Sequence, residues 1–332
     1  MTVLVTGGAG YIGSHVVYGL LEQNQRVIVL DNLSSGFREA VAEQATLIVG
    51  DVGDAELVSR LIAEHGINAI MHFAASTVVP ESVAKPVAYY RNNTVNSLAL
   101  VDAAIRGGVR HFVFSSTAAV YGNPATQLVD EDVPPQPMSP YGTSKLMTEM
   151  MLRDAALASG LSYVVLRYFN VAGADPLLRT GQSTRAATHL IKVAAQAALG
   201  IRNGMEIYGT DYPTPDGTCI RDYIHVCDLV SAHIKALDYL RGGGASATLN
   251  CGYGHGYSVR EIIAAVRRVS GSDFEATQQP RRAGDPAAIV ADSQKLRQLL
   301  LWAPTFDDLD TIVGHALAWE RKLAAGDQHA RS

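Results

Sequence analysis

The chain is poor in the residues that mark secreted, membrane-spanning or nucleic-acid-binding proteins. It has three cysteines in 332 residues, Cys219, Cys227 and Cys251. An odd count without metal or redox spacing argues against a disulfide framework and points to a reducing cytoplasm. Charged residues make up only 18%, with a net charge of −5, so no basic footprint for nucleic acid exists. No uninterrupted apolar run reaches the ~18 residues that a membrane span needs, and no basic-then-apolar leader is read at the start. Repeats and low-complexity tracts are lacking. The ten histidines form no ligand spacing; His225 and His233, eight apart on an expected helix, read as packing and surface, and no metal is assigned. What is plentiful is apolar residue, 48%, enough for one large core or, better, two.

The amino terminus carries the first motif. Thr2-Val3-Leu4-Val5-Thr6 reads as a short buried strand and runs into Gly7-Gly8-Ala9-Gly10-Tyr11-Ile12-Gly13, then a helix from Ser14 to about Gln23. Glycines at 7, 10 and 13 suit a turn in which the backbone approaches a pyrophosphate and a helix N-terminus aims its N–H groups at the anion. A second strand, Arg26 to Leu30, ends in Asp31, 18 residues past Gly13. A carboxylate at that distance binds the adenine-ribose hydroxyls and repels a 2′-phosphate, which favours NAD over NADP.

The second motif lies mid-chain. Tyr141 and Lys145 stand four apart in Tyr141-Gly142-Thr143-Ser144-Lys145, hence on one face of a helix. There the ammonium is expected to lower the phenol pKa from about 10 towards neutrality. A hydroxyl at Thr117 or Ser116, in Ser115-Ser116-Thr117, can share the proton. Such a set moves a proton on and off a substrate hydroxyl while a nicotinamide takes the hydride. The spacing alone is common on exposed helices; the neighbouring dinucleotide motif gives it weight.

Between the motifs, strands and helices alternate. Strands are expected at 45–50, 69–75, 111–115 and 162–167, and helices at 55–64, about 87–107 and from 141. Apolar strands separated by helices mean a doubly wound parallel α/β sheet covered on both faces. Ligands then bind at the carboxyl ends of the strands. Residues 1–172 read as an NAD-binding Rossmann domain. Residues 173–332 read as a smaller, mixed α/β substrate-binding domain. It is discontinuous, with segments near 225–252 returning to the sheet.

Several blocks carry a resemblance: Thr6 to His15, Asp31-Asn32-Leu33, His72 to Ala75, Ser139 to Lys145, Leu166 to Asn170, Gly217 to Val226 and Arg281-Arg282-Ala283-Gly284-Asp285. Over almost its whole length the chain resembles the extended short-chain dehydrogenase/reductases, most closely their UDP-glucose 4-epimerase branch. The first and fourth blocks mark the superfamily; the 211–225 region and the Arg-Arg-x-Gly-Asp block belong to the epimerase branch. The resemblance implies that Gly7, Gly10, Tyr11, Ile12, Gly13, Asp31, Asn32, Ser35, Gly36, Asp51, Val52, Phe73, Ala74, Ala75, Asn92, Tyr141, Lys145 and Phe169 surround NAD. Thr77 stands where family members often carry a lysine that contacts the cofactor. It further implies that Tyr141, Lys145 and Thr117 are catalytic. Thr117, Tyr141, Asn170, His189, Leu190, Arg221, Tyr223, Arg282, Asp285 and Ile289 would hold a UDP-sugar. Arginine suits a diphosphate because its planar fork binds in bidentate fashion. The implied reaction is inversion of C4 through a 4-keto sugar, with NAD bound throughout.

Rival readings remain within and outside the family. A nucleotide-sugar 4,6-dehydratase has Asp-Glu after the threonine at 117, whereas this chain has Ala118-Ala119, which transfer no protons. A UDP-N-acetylhexosamine or UDP-uronate epimerase, or a decarboxylase, is nearer. A non-enzymatic NAD sensor usually loses the Tyr or the Lys, and both are present. In the family, the residue four past the Asp of Arg-Arg-x-Gly-Asp borders the sugar 2-position; here it is Ile289, smaller than the tyrosine that narrows the pocket. An ordinary inward-facing strand residue is the competing reading of Ile289. A homodimer is expected through helices near 87–107 and 140–158, using Leu98, Val101, Met147 and Met151.

Overall fold

Val3, Leu4 and Val5 have no exposure at all, because the first strand lies in the middle of a sheet packed on both faces. The computed structural model describes residues 1–184, 188–282 and 284–329. From the amino terminus run β1 (Thr2–Thr6), α1 (Tyr11–Glu22), β2 (Arg26–Asp31), β3 (Thr46–Val49), α2 (Ala55–His65) and β4 (Ile67–His72). Next come two short helices, α3 (Val79–Ala84) and α4 (Pro86–Tyr89), then α5 (Asn96–Arg106), β5 (His111–Ser115), β6 (Leu128–Val129), α6 (Pro140–Ser159) and β7 (Ser162–Tyr168). The rest comprises β8 (Asn170–Ala172), α7 (Leu190–Ala198), β9 (Met205–Tyr208), β10 (Ile220–Arg221), β11 (Tyr223–His225) and α8 (Val226–Arg241). It closes with β12 (Ala247–Cys251), β13 (Tyr257–Ser258), α9 (Val259–Ser270), β14 (Ala276–Gln279), β15 (Ala288–Ala291), α10 (Gln294–Leu300) and α11 (Leu309–His329).

The main sheet has the order β12-β7-β5-β4-β1-β2-β3, every neighbour parallel. Connections between parallel strands need crossovers, and the helices supply them on both faces. Alternation along β1 sends Val3 and Val5 to one face and Leu4 to the other. The Val3 face packs on α1 and α8 and continues without a break into α7, α9 and α11. The Leu4 face packs on α2, α5 and α6. Smaller sheets, β13-β10-β15-β6, β11-β8 and β14-β9, build the remainder. Among the described residues no helix is long and apolar enough to cross a membrane.

Boundaries differ from the sequence reading in ways that bear on the site. Helix α1 starts at Tyr11 rather than Ser14, with Gly10 as its N-cap, so the glycine turn and the helix start are one structure. Strand β4 stops at His72, which leaves Phe73, Ala74 and Ala75 as loop beyond the strand end. The expected 87–107 helix is interrupted by a π-turn at Tyr90–Val95, a local widening often found at functional sites. From this turn Asn93 grips Ser76, its side chain accepting from the Ser76 N–H at 2.8 Å and donating to the Ser76 carbonyl at 2.9 Å. Of the residues expected on a dimer face, Leu98 and Met147 are exposed, but Val101 is core and Met150 rather than Met151 is the exposed methionine. Val101 packs under its own sheet, one turn away from the outward stripe.

Candidate active site

The glycine turn is closed so tightly that side chains are excluded. A Cβ on Gly13 would stand 2.2 Å from the Gly7 carbonyl oxygen, and one on Gly7, whose φ is +71°, 2.6 Å from the Ala74 nitrogen. A Cβ on Gly10 would press against the Gly7 carbonyl oxygen at 3.3 Å. Gly10 caps α1 without any side-chain hydrogen bond, and the first turn carries no acid. No side chain therefore caps the first N–H groups of the helix, an arrangement suited to an anion. Asp31 at the end of β2 accepts from the Ala9 N–H at 2.9 Å and the Leu33 N–H at 2.8 Å. That fixes a carboxylate at the rim of the turn, where a dinucleotide's ribose hydroxyls would lie. These features fit NAD.

The other expected cofactor residues have contacts of their own. Asp51 binds Asn32 at 3.0 Å, Asn96 at 2.9 Å and the Gly53 N–H at 2.8 Å, beside buried Val52. Gly36 passes so near Ala9 that a Cβ would lie 2.8 Å from its carbonyl carbon. Asn92 donates to the Ser76 hydroxyl at 3.0 Å. Phe73 packs its ring on His233, 4.9 Å between centroids. Ser35 and Thr77 are exposed. Tyr11, next to Ile12, donates its hydroxyl to the Gly173 carbonyl at 2.7 Å.

Three groups meet where β5 ends against the start of α6. Ser139 caps that helix, its hydroxyl accepting from the Gly142 N–H at 3.2 Å, and Pro140 at its first position suits a helix start. Tyr141 and Lys145 are both buried. The Thr117 hydroxyl, which accepts from the Ala119 N–H at 3.1 Å, is close enough to the Tyr141 phenol to draw its pKa down, while Ser116 turns away to Glu149; of the two candidate hydroxyls, Thr117 is the one at the phenol. Lys145 Nζ donates to the Ser115 carbonyl at 2.9 Å and lies 4.8 Å from the centre of the Phe114 ring.

The electrostatics correct one expectation. Burial pushes the Tyr141 phenol up to about 12, with the Thr117 hydrogen bond pulling the other way. Burial draws Lys145 down to about 7, opposed by Glu149. Lys145 is committed to Ser115 and does not by itself bring the phenol towards neutrality. Desolvation of a neutral-to-anion acid outweighs one ammonium engaged elsewhere.

The expected sugar-nucleotide residues fall in two groups. Asn170 on β8 pairs in register with Tyr223 on β11, and both line one small cavity with His189, Leu190, Gln182, Lys192 and Trp319. Arg221 on β10 lies opposite Ile289 on β15, with its Nη2 3.9 Å from Asp285. Arg282 stacks over the Tyr208 ring at 3.7 Å; Ala283 of the same block lies outside the described residues. Ile289 is buried in a cluster with Ala118, Val120, Tyr121 and Val129, and Phe169 packs on that cluster. Sequence reasoning missed the buried polar chain beneath Lys145, made by Glu149, Arg167, Tyr121 and Asn250. The available signal was that Glu149 follows Lys145 by the same four-residue step that separates Lys145 from Tyr141.

Comparison with known proteins agrees with this geometry. The model of the NAD dependent epimerase/dehydratase family matches residues 3–252. A UDP-glucose 4-epimerase of Azospirillum brasilense is 58% identical over 97% of this chain and 92% of its own. A solved UDP-glucose 4-epimerase from Brucella ovis, in complex with NAD, superposes with a TM-score of 0.93 at 42% identity, covering 96% of this chain and 97% of that one. The UDP-Glc/GlcNAc 4-epimerase of Campylobacter jejuni gives 0.85 at 48% identity, over 97% and 99%. The chain belongs to the NAD dependent epimerase/dehydratase family and, within it, to the UDP-glucose 4-epimerases of the extended short-chain dehydrogenase/reductases.

Proposed function

We infer that this chain interconverts UDP-galactose and UDP-glucose, inverting C4 through a 4-keto intermediate with NAD held for the whole cycle. The observation that carries the reading is the buried pair Tyr141 and Lys145, one helical turn apart, with Lys145 tied to the Ser115 carbonyl at the carboxyl end of a sheet whose first turn fits a dinucleotide. Tyr141 takes the proton of the sugar 4-hydroxyl, Thr117 relaying or holding it, and later returns it. NAD, when bound, supplies the hydride acceptor and a positive charge. Lys145 supplies the remaining charge that a buried phenolate needs. The proton ledger closes on Tyr141, so no exchange with solvent is required.

The proposed nucleotide grip comes from Arg221 and Arg282 on the diphosphate, with Asn170, His189, Leu190, Tyr223 and Asp285 around the rest. A firmly held UDP and a loosely held hexose allow the keto sugar to present its other face. Residues 1–172, joined by segments near 225–252 that return to the sheet, are proposed as the NAD-binding body, and the remainder as the substrate-binding body. Ala118-Ala119, in a short helical turn after Thr117, supplies no acid or base for a dehydration.

Three finer proposals follow. A homodimer is supported by exposed Val87, Val95, Leu98, Met147 and Met150 on neighbouring helices, an apolar patch that a monomer rarely leaves open; light scattering at micromolar concentration tests it, and a monomer refutes it. Work in the cytoplasm is supported by three free cysteines. Ile289, where a tyrosine would narrow the pocket, supports slower turnover of UDP-N-acetylglucosamine. Incubation of the purified protein with UDP-galactose, assayed for UDP-glucose, tests the main reading.

A further inference from the structure

Three consecutive residues leave the end of β5, and each meets a different residue of one stripe on α6. The Ser115 carbonyl accepts from Lys145 at 2.9 Å. The Ser116 hydroxyl donates to the Glu149 carboxylate. The Thr117 hydroxyl is near enough to Tyr141 to lower its phenol pKa. Tyr141, Lys145 and Glu149 recur every four residues, so they share a helix face. All three are buried, Glu149 at 6% exposure.

The proposed mechanism uses Tyr141 and Lys145 but leaves Glu149 without a task. A buried carboxylate is costly unless paired and hydrogen-bonded. Glu149 is both. Arg167 on β7 places Nε 3.1 Å from each of its oxygens and Nη2 2.6 Å from Oε2. Arg167 also donates to the Tyr121 hydroxyl at 2.9 Å, and Tyr121 to Asn250 at 2.7 Å. The carboxylate is thus held from the sheet side by groups that touch neither cofactor nor sugar in the reading above.

We propose that Glu149 is a positioning residue of the epimerisation centre: seated by Arg167 and Ser116, it sets the register in which residues 115–117 hold Lys145 and Thr117 beside Tyr141. The inference rests on the C4-epimerase reading and extends it. Around Lys145 stand His72 from β4, Tyr141 and Glu149 from α6, and the Ser115 carbonyl and Phe114 ring from β5; behind Glu149 lies the Arg167 cation from β7, and behind Ser115 lie Tyr168 from β7 and His233 from α8. His72 and His233 are neutral, since burial lowers them to about 3 and about 4. Glu149 is the anion in this set. Burial pulls Lys145 down, and Glu149 is the group that opposes it.

The sign follows directly. With the carboxylate removed, Lys145 loses its proton at lower pH, so the alkaline limb of kcat moves to lower pH. E149Q keeps the shape and an acceptor for Arg167 and Ser116. An opposite charge at close range shifts a pKa by roughly 1–3 units; the limb is expected to move by about one unit, with KM for UDP-galactose within about twofold of its original value. E149D restores a carboxylate on a shorter stem and returns the limb towards its original pH at reduced kcat. Because E149Q leaves the Arg167 charge without its partner, the double variant E149Q/R167M is measured as well; it leaves no unpaired buried charge, and since a positive charge is lost with the negative one its shift is in the same direction but smaller. A limb at the original pH in the folded variants lacking the carboxylate, with kcat lowered equally at every pH, overturns the proposal. An unmutated protein that fails to epimerise would instead sink the underlying reading.

Discussion

Tyr11, the first residue of α1, donates its hydroxyl to the carbonyl of Gly173, 162 positions further along the chain, at 2.7 Å. Two more ties follow on the same helix. Ser14 and Thr180 share a hydrogen bond of 2.8 Å, and Arg179 reaches Glu22 at 2.7 Å. The segment after β8 is thereby strapped along the helix whose N-terminus fits the pyrophosphate. Tyr11→Phe keeps the ring and cuts one strap, leaving the Gly173 carbonyl to find another donor. The expected cost is about 1 kcal/mol of stability, with faster loss of bound NAD. The denaturation midpoint and NAD retention on gel filtration check this; unchanged values for both contradict it.

Tyr141→Phe deletes the proton acceptor and retains ring packing. Turnover of UDP-galactose is expected to fall ~10²-fold or more, the usual contribution of general acid–base catalysis. NAD content and the far-ultraviolet spectrum should match the parent. Near-normal epimerisation by this variant would remove Tyr141 from its role.

How much of this was legible in the sequence varies by element for physical reasons. β1, β2 and β5 are buried on both faces, so each is an unbroken apolar run that periodicity alone finds. The π-turn at 90–95 was invisible, because no local propensity marks it and the tertiary bonds of Asn93 to Ser76 cannot be read from spacing. Val101 and Leu98 look alike in sequence, and only the orientation of α5 against the sheet separates core from surface. Tyr141 and Lys145 were legible from spacing next to a dinucleotide turn. Glu149 was not, since a helical carboxylate normally faces water; Arg167, arriving from β7, is what makes its burial tolerable. The expected lowering of the Tyr141 phenol failed for a related reason: spacing placed Lys145 on the right face, but its ammonium is spent on Ser115.

Acid should destabilise the fold through its buried histidines. Burial lowers His15 and His233 to about 4, and His72 and His225 to about 3. A depressed folded-state pKa contributes stability above the unfolded value of 6.5 that is lost as pH falls through the folded value. Each proton taken up on unfolding adds a slope of about 1.4 kcal/mol per pH unit. Asp222, raised to about 6 by burial, acts in the opposite direction, its contribution being lost as pH rises through 6, and offsets one of the four. Urea midpoints measured from pH 7.5 to 4.5 should fall steadily below 6.5. A flat profile contradicts the neutral burial of these rings.

Sugar choice tests the position of Ile289. It is buried against Val120 and Tyr121 near Phe169, so Ile289→Tyr must enlarge a packed cluster, a change that typically costs 1–3 kcal/mol. If the residue limits the sugar 2-position, kcat/KM for UDP-N-acetylglucosamine falls relative to UDP-galactose by ~10-fold or more, within the range expected for pocket-size discrimination. An unchanged ratio assigns Ile289 to packing alone.

The central claim is that Tyr141 and NAD invert C4 without passing the carbon-bound hydrogen to solvent. Purified protein is incubated with UDP-galactose in deuterium oxide and followed by proton NMR. The account predicts UDP-glucose approaching a common equilibrium from either sugar, with the C4 hydrogen retained as protium. A lack of UDP-glucose, a 6-deoxy-4-keto product, or deuterium at C4 would contradict it.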